Sequence, residues 1–156
     1  APDSACPMPV EVGLAEKWTA EAPDVSDVDP ALRELLFKGG LTPLCEFDAK
    51  PAGHLGFIRV YGGPGADPRA ALTAFIGPDA RDPVFTDVSL TGGPAVEVVY
   101  TSADPLGDGP TPERAFALPA GAGVVAVALD SVDAEEHEAM LPAYELARST
   151  LTVRAQ

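Results

Sequence analysis

Two histidines, two cysteines and a handful of glycine-rich or acidic loops are the only parts of this 156-residue chain whose types and spacing could do chemistry. A catalytic triad or a zinc site needs histidine beside a nucleophile, cysteine ligands or further histidines at fixed spacing. His54 and His137 have no such companions in sequence and read as a turn residue and a helix residue. The run Asp104-Pro105-Leu106-Gly107-Asp108-Gly109 has the acidic groups and glycines of a calcium loop's first half, but Leu106 stands at the third position and Ala115 at the twelfth, where an oxygen ligand is required. It reads as a polar loop. Tyr61-Gly62-Gly63-Pro64-Gly65 precedes a helix start, as phosphate-cradling turns do, yet the P-loop Lys and Ser/Thr are missing and Asp67 at the helix entrance would repel a phosphate. The sequence therefore offers no catalytic residue, no cofactor site and no metal site.

What remains is a set of contact residues. Trp18, Phe57, Arg59, Tyr61 and Tyr100 are the side-chain types that anchor interfaces. Trp18 shares a face with Val10, Val12 and Leu14 and belongs to the core. Arg59 interrupts an apolar alternation, which singles it out, and Arg59, Tyr61 and Tyr100 are kept as binding candidates.

Cys6 and Cys45 are an even count in a chain that reads as exported, which predicts a disulfide between them. Closing a ring of this size stabilises by about 4 kcal/mol on the chain-entropy account. The sequence opens at Ala1 without an initiator Met, so a leader is expected to have been removed. Asp3-Ser4-Ala5 ahead of Cys6 puts a charge where a lipoprotein processing signal wants an aliphatic residue; a lipid-bearing cysteine upstream of Ala1 is the alternative. The expected location is extracytoplasmic, secreted or anchored at the outer face of the cell membrane.

The elements that must position these groups follow from composition and period. Leu, Val, Ile and Phe make up 38 of the 156 residues, enough for a core, and the length suits one domain, residues 1–156, with residues 1–8 as a flexible N-terminal segment. The net charge of −14 repels phosphate backbones and anionic lipid, which excludes nucleic acid as a partner. No run reaches the 18 apolar residues that a membrane span needs.

Val10, Val12, Leu14, Trp18 and Ala20 alternate as a strand or hairpin does. A short helix is predicted over Pro30–Lys38, stopped by Gly39–Gly40, and a strand pair over Leu44–Ala49 and Leu55–Tyr61. Asp67–Pro68 caps a second helix that Gly77–Pro78 ends. Val84–Leu90 and Ala95–Thr101 form a hairpin around Gly92–Gly93, and a polar loop spans Ser102–Pro112. Arg114–Leu118 and Val124–Leu129 follow. The second of these is apolar on both faces, which predicts a central strand covered on each side. Asp133 and Glu136 make a capping box for a last helix interrupted by Pro142, and Leu151–Val153 close the chain as a strand.

In this order the elements resemble the PsbP/Mog1-like fold, as found in small extracytoplasmic lipoproteins of actinobacteria. The likeness rests on the strand from Val10-Glu11-Val12-Gly13-Leu14 to Trp18, the Ala71–Gly77 helix after Leu55–Tyr61, the Ala95–Thr101 strand, and the Leu141–Val153 close through Ala147-Arg148-Ser149. It implies an α+β domain with a central, mainly antiparallel sheet sandwiched by helices. It also implies an adaptor, assembly or binding module and not an enzyme. The acidic stretch Ala22–Asp29 and the cysteine pair depart from that pattern. The expected function is a non-catalytic cell-envelope domain, monomeric, that binds a protein partner or modulates an envelope signalling or assembly system, touching the membrane only through an upstream lipid. The alternative is a carrier of a small ligand or lipid in an apolar cavity.

Overall fold

The computed structural model describes residues 6–23, 29–30, 37–102 and 111–154. In chain order these form β1 (Val10–Glu11), β2 (Thr19–Glu21), β3 (Thr42–Asp48), a 3-10 turn (Lys50–Ala52), β4 (Gly56–Pro64), α1 (Pro68–Ile76), β5 (Arg81–Leu90), β6 (Gly93–Ser102), β7 (Thr111–Ala120), β8 (Gly123–Ser131), α2 (Ala134–Thr150) and β9 (Thr152–Val153). Seven strands make one sheet in the order β2-β3-β4-β8-β7-β6-β5, antiparallel at every pairing. β8, the strand apolar on both faces, sits in the middle, because only a central position buries both sets of its side chains.

Period 2 divides the core in two. Ile58, Val60, Phe116, Leu118, Val125, Val127 and Leu129 point to one face and pack under α2 with Met140, Tyr144 and Ala147. Tyr61, Val96, Val98, Ala115, Ala117, Val124 and Ala126 point to the other and pack under α1 with Leu72 and Phe75. The result is an α+β sandwich, with one helix on each face of the sheet among the described residues.

The local devices read in the sequence are in place. The Asp67 carboxylate accepts from the Arg69 N–H at 3.0 Å, and Pro68 occupies the first turn of α1. The Asp133 carboxylate accepts from the Glu136 N–H at 2.8 Å. Helix α2 continues through the exposed Pro142, which can donate no hydrogen bond.

Two expectations are corrected. The alternating segment from Val10 is two short strands: Trp18 N–H bonds Ala15 C=O at 3.1 Å with Lys17 at φ 70°, a turn that ends the extended run. The expected closing strand is present as β9, and it pairs with β1 apart from the main sheet. Within the segment expected to be flexible, Cys6 and Met8 are buried in the core beneath α2, held by the Cys6–Cys45 disulfide across a sequence separation of 39. The helix expected over Pro30–Lys38 lies mostly outside the described residues. Its end is described: Lys38 and Leu41 bridge around Gly39 and Gly40, both at positive φ. A Cβ at Gly39 would stand 2.5 Å from the Ala74 backbone, so glycine is required where this turn meets α1.

Candidate functional site

Helix α1 is nine residues long, about 13 Å, whereas a nine-residue strand such as β4 runs about 30 Å. The helix covers only part of its face, and the remainder carries polar side chains from five neighbouring strands. Glu46 on β3 lies opposite Arg59 on β4, Phe57 opposite Asp130 on β8, and Glu113 on β7 opposite Tyr100 on β6. Glu113 and Asp130 each stand one residue beyond the Arg114–Leu129 pair, which makes them neighbours.

Tyr100, Ser102, Glu113 and Asp130 floor an open cleft of about 810 Å³ walled by Lys38, Ile76 and residues 78–81. Burial first, then the nearby Asp130, pushes the Glu113 carboxyl up to about 8; Lys38 and the Ser102 hydroxyl, which donates to it at 3.3 Å, act against the shift. Burial and Glu113 likewise raise Tyr100 above the usual phenol range. Asp130 is tied to the Arg59 guanidinium by a charge-assisted hydrogen bond, and Arg59 also faces Glu46 at 3.8 Å while lying 4.3 Å over the Phe57 ring. Asp130 thus stands between a carboxyl protonated at neutral pH, Glu113, and an arginine, Arg59, held between two carboxylates.

A second cleft of about 520 Å³ adjoins the first at Asp130 and is lined by Arg59 and Phe57. It is flanked by Leu55 and Val132, 55% and 60% exposed, and by His54, whose Nδ1 lies 3.5 Å from Glu136 Oε2. Exposed apolar side chains beside a cluster of convergent polar groups are the ingredients of a contact surface.

Of the sequence candidates, Tyr100 lines the first cleft and Arg59 the second. Tyr61 does not: it is buried edge-on against Phe75, ring centroids 4.9 Å apart, and burial lifts its hydroxyl to about 12 against the pull of Arg59. Trp18 is buried in the core under α2. The run Asp104–Gly109 lies outside the described residues. His137 is buried under α2, its Nε2 without a partner, and burial together with Arg114 holds its pKa down at about 4. Among the described residues no group of three His, Cys, Asp or Glu could hold a metal ion.

The Glu113–Asp130 pair was missed in the sequence. A signal was there: both residues are equidistant from the Ala120–Gly123 turn, and both continue the face of Ala115, Ala117, Ala126 and Ala128.

Residues 1–151 match the model of a family described as uncharacterised lipoprotein. No curated protein matches the chain. Among solved structures, LpqN of Mycobacterium tuberculosis, described as involved in cell envelope biogenesis, is similar at 12% identity over 94% of this chain and 83% of that one, with a TM-score of 0.48.

Proposed function

The chain belongs to this family of uncharacterised lipoproteins, and from that premise we propose that it is a non-catalytic domain, lipid-anchored outside the cytoplasm, that binds a partner protein in the cell envelope. The observation that carries the reading is the end of the α1 face that no described helix covers, where Tyr100, Glu113, Asp130 and Arg59 line adjoining clefts beside the exposed Leu55 and Val132. Cys6 and Cys45 are bonded to each other. The lipid-bearing cysteine would therefore lie outside residues 1–156, on a chain delivered by a cleaved leader. No described helix is long and apolar enough to cross a membrane; the anchor proposed is the lipid. The sheet with one helix layer on each face supports the finer assignment to the PsbP/Mog1-like lipoproteins of actinobacteria. The net charge of −14 favours a monomer over self-association.

A photo-crosslinking side chain placed at Leu55 or Val132 in the full-length lipoprotein, in intact cells, tests the reading. Protein adducts are expected from both positions and not from Leu146, exposed on α2. Adducts confined to lipid would favour the carrier alternative instead, although the clefts described open to solvent outside both packed layers. Equal adducts from Leu146 would overturn the choice of surface.

The Glu113–Asp130 pair favours a second reading. A carboxyl protonated to about pH 8 beside a second carboxyl is the arrangement of an acid–base pair, suited to hydrolysis of a glycoside or ester. Turnover of chromogenic glycosides or esters, abolished by Glu113→Gln, would establish it over the binding module; no turnover across such a panel would count against it.

A further inference from the structure

The two edges of the main sheet are unequal. β2 offers three residues, whereas β5 offers ten, Arg81–Leu90, and among the described residues no strand pairs with its outer side. A row of unpaired N–H and C=O groups is a template for another strand, and proteins usually blunt such an edge with a bulge, a proline or a strained residue. Here the bulge, the proline and the strained residue are confined to one end, and the remainder carries a single charge, Asp87. The β5–β6 register shifts between Arg81 and Val84, with Asp82 at φ 50° and Pro83 in the gap, while Val84–Leu90 pairs with β6 without interruption.

We infer that Val84–Leu90 is a docking edge for an extended, basic-and-apolar segment of a partner protein, which adds to the sheet as an eighth strand. The seven-residue edge sets the length and extended form of the segment, and the two faces beside it set the side chains. On the α2 face, Val84 is 62% exposed and lies opposite Val99, itself 38% exposed, so a β-branched residue of the incoming strand would extend an existing apolar ladder. On the α1 face, the Asp87 side chain is 84% exposed and shared only with Arg69 at 3.5 Å, so a cationic residue is favoured there. Alternation of strand side chains puts both preferences on one segment at period 2. A second copy of this chain is the poorer occupant, since each copy carries a net charge of −14 and Asp87. The edge is separate from the Glu113 cleft and does not depend on what that cleft binds.

The test uses the intact chain and three seven-residue peptides of alternating lysine and valine or threonine: one unmodified, one N-methylated at alternate amides, and one with glutamate in place of lysine. Amide hydrogen exchange is followed by NMR. The unmodified peptide is expected to slow exchange at alternate amides of Val84–Leu90 at least tenfold, the N-methylated peptide to have no effect, and the glutamate peptide to act at least fivefold more weakly. Glu113→Gln is expected to leave the slowing unchanged. Absence of slowing, equal slowing by the N-methylated peptide, or a peptide-free dimer in sedimentation with β5 already protected would each overturn the proposal.

Discussion

The two faces of the sheet are built from the same strands and differ in what covers them. α2 has 17 residues and brings His137, Met140, Tyr144 and Ala147 down onto its face, where Tyr144 is fully buried. Its hydroxyl donates to Glu97 Oε2 at 2.8 Å, its ring meets Phe116 edge-on at 5.7 Å, and Arg114 lies over it at 5.8 Å. Arg148 Nε approaches the same Glu97 oxygen at 3.1 Å, in contact although not aligned as a hydrogen bond. On the other face α1 has nine residues, and the polar groups beyond its reach stand in an open cleft. Similar residue types (tyrosine, glutamate, arginine) therefore gather around a fully buried tyrosine on one side and line an open cleft on the other.

The largest consequence is expected at the tyrosines. Tyr144→Ala removes a fully buried ring and should cost about 4 kcal/mol in urea unfolding, whereas Tyr100→Ala at the cleft should cost about 1 kcal/mol. Equal losses would break the contrast between the faces. The next consequence is opposite pH dependence. His137 has a folded-state pKa near 4, below its ordinary value, so as pH falls from about 7 toward 4 the unfolded chain takes up a proton that the folded chain refuses. Stability should drop by about 3 kcal/mol through that window relative to His137→Gln, measured by denaturant midpoint at pH 7 and pH 4. Glu113 acts in the other sense. Its folded-state pKa near 8 lies above its ordinary value, so the folded chain keeps a proton that the unfolded chain loses as pH rises from about 4.5 to 8. Glu113→Gln should therefore flatten a loss of about 2 kcal/mol across that range, discounted for solvent in the open cleft. A variant that tracks the native protein at both pH values would show that the cleft carboxyl is as hydrated as any surface glutamate.

Much of this architecture was legible from local physics. The Asp67 and Asp133 caps, the Gly77 stop and the doubly apolar Val124–Leu129 strand each follow from constraints within a few residues, and each is in place. The cysteine pair was legible from count and context, and Arg59 from its break in an apolar alternation. What was not legible depends on contacts between distant residues. Asp130 and Arg59 are 71 positions apart, and Glu113 is unusual only because β7 and β8 bring it beside Asp130. Tyr61 was kept as a contact residue because an aromatic at strand period looks the same whether a helix covers it or not; α1 covers it, with Phe75 against its ring. The reading of the opening segment as one strand or a hairpin failed for a local reason, Lys17 at positive φ, that its side chain does not advertise.

The Cys6–Cys45 bond also fixes the route by which a pull on the chain would reach the fold. β1 is held to β9 by only two paired residues, so tension arriving along the backbone would peel it away first. The disulfide diverts that tension at Cys6, past residues 7–44, directly into β3, which is clamped between β2 and β4 along an antiparallel ladder. A domain leashed from its N-terminal side can then be tugged without being unravelled, and the sheet bears the load instead of its weakest strand.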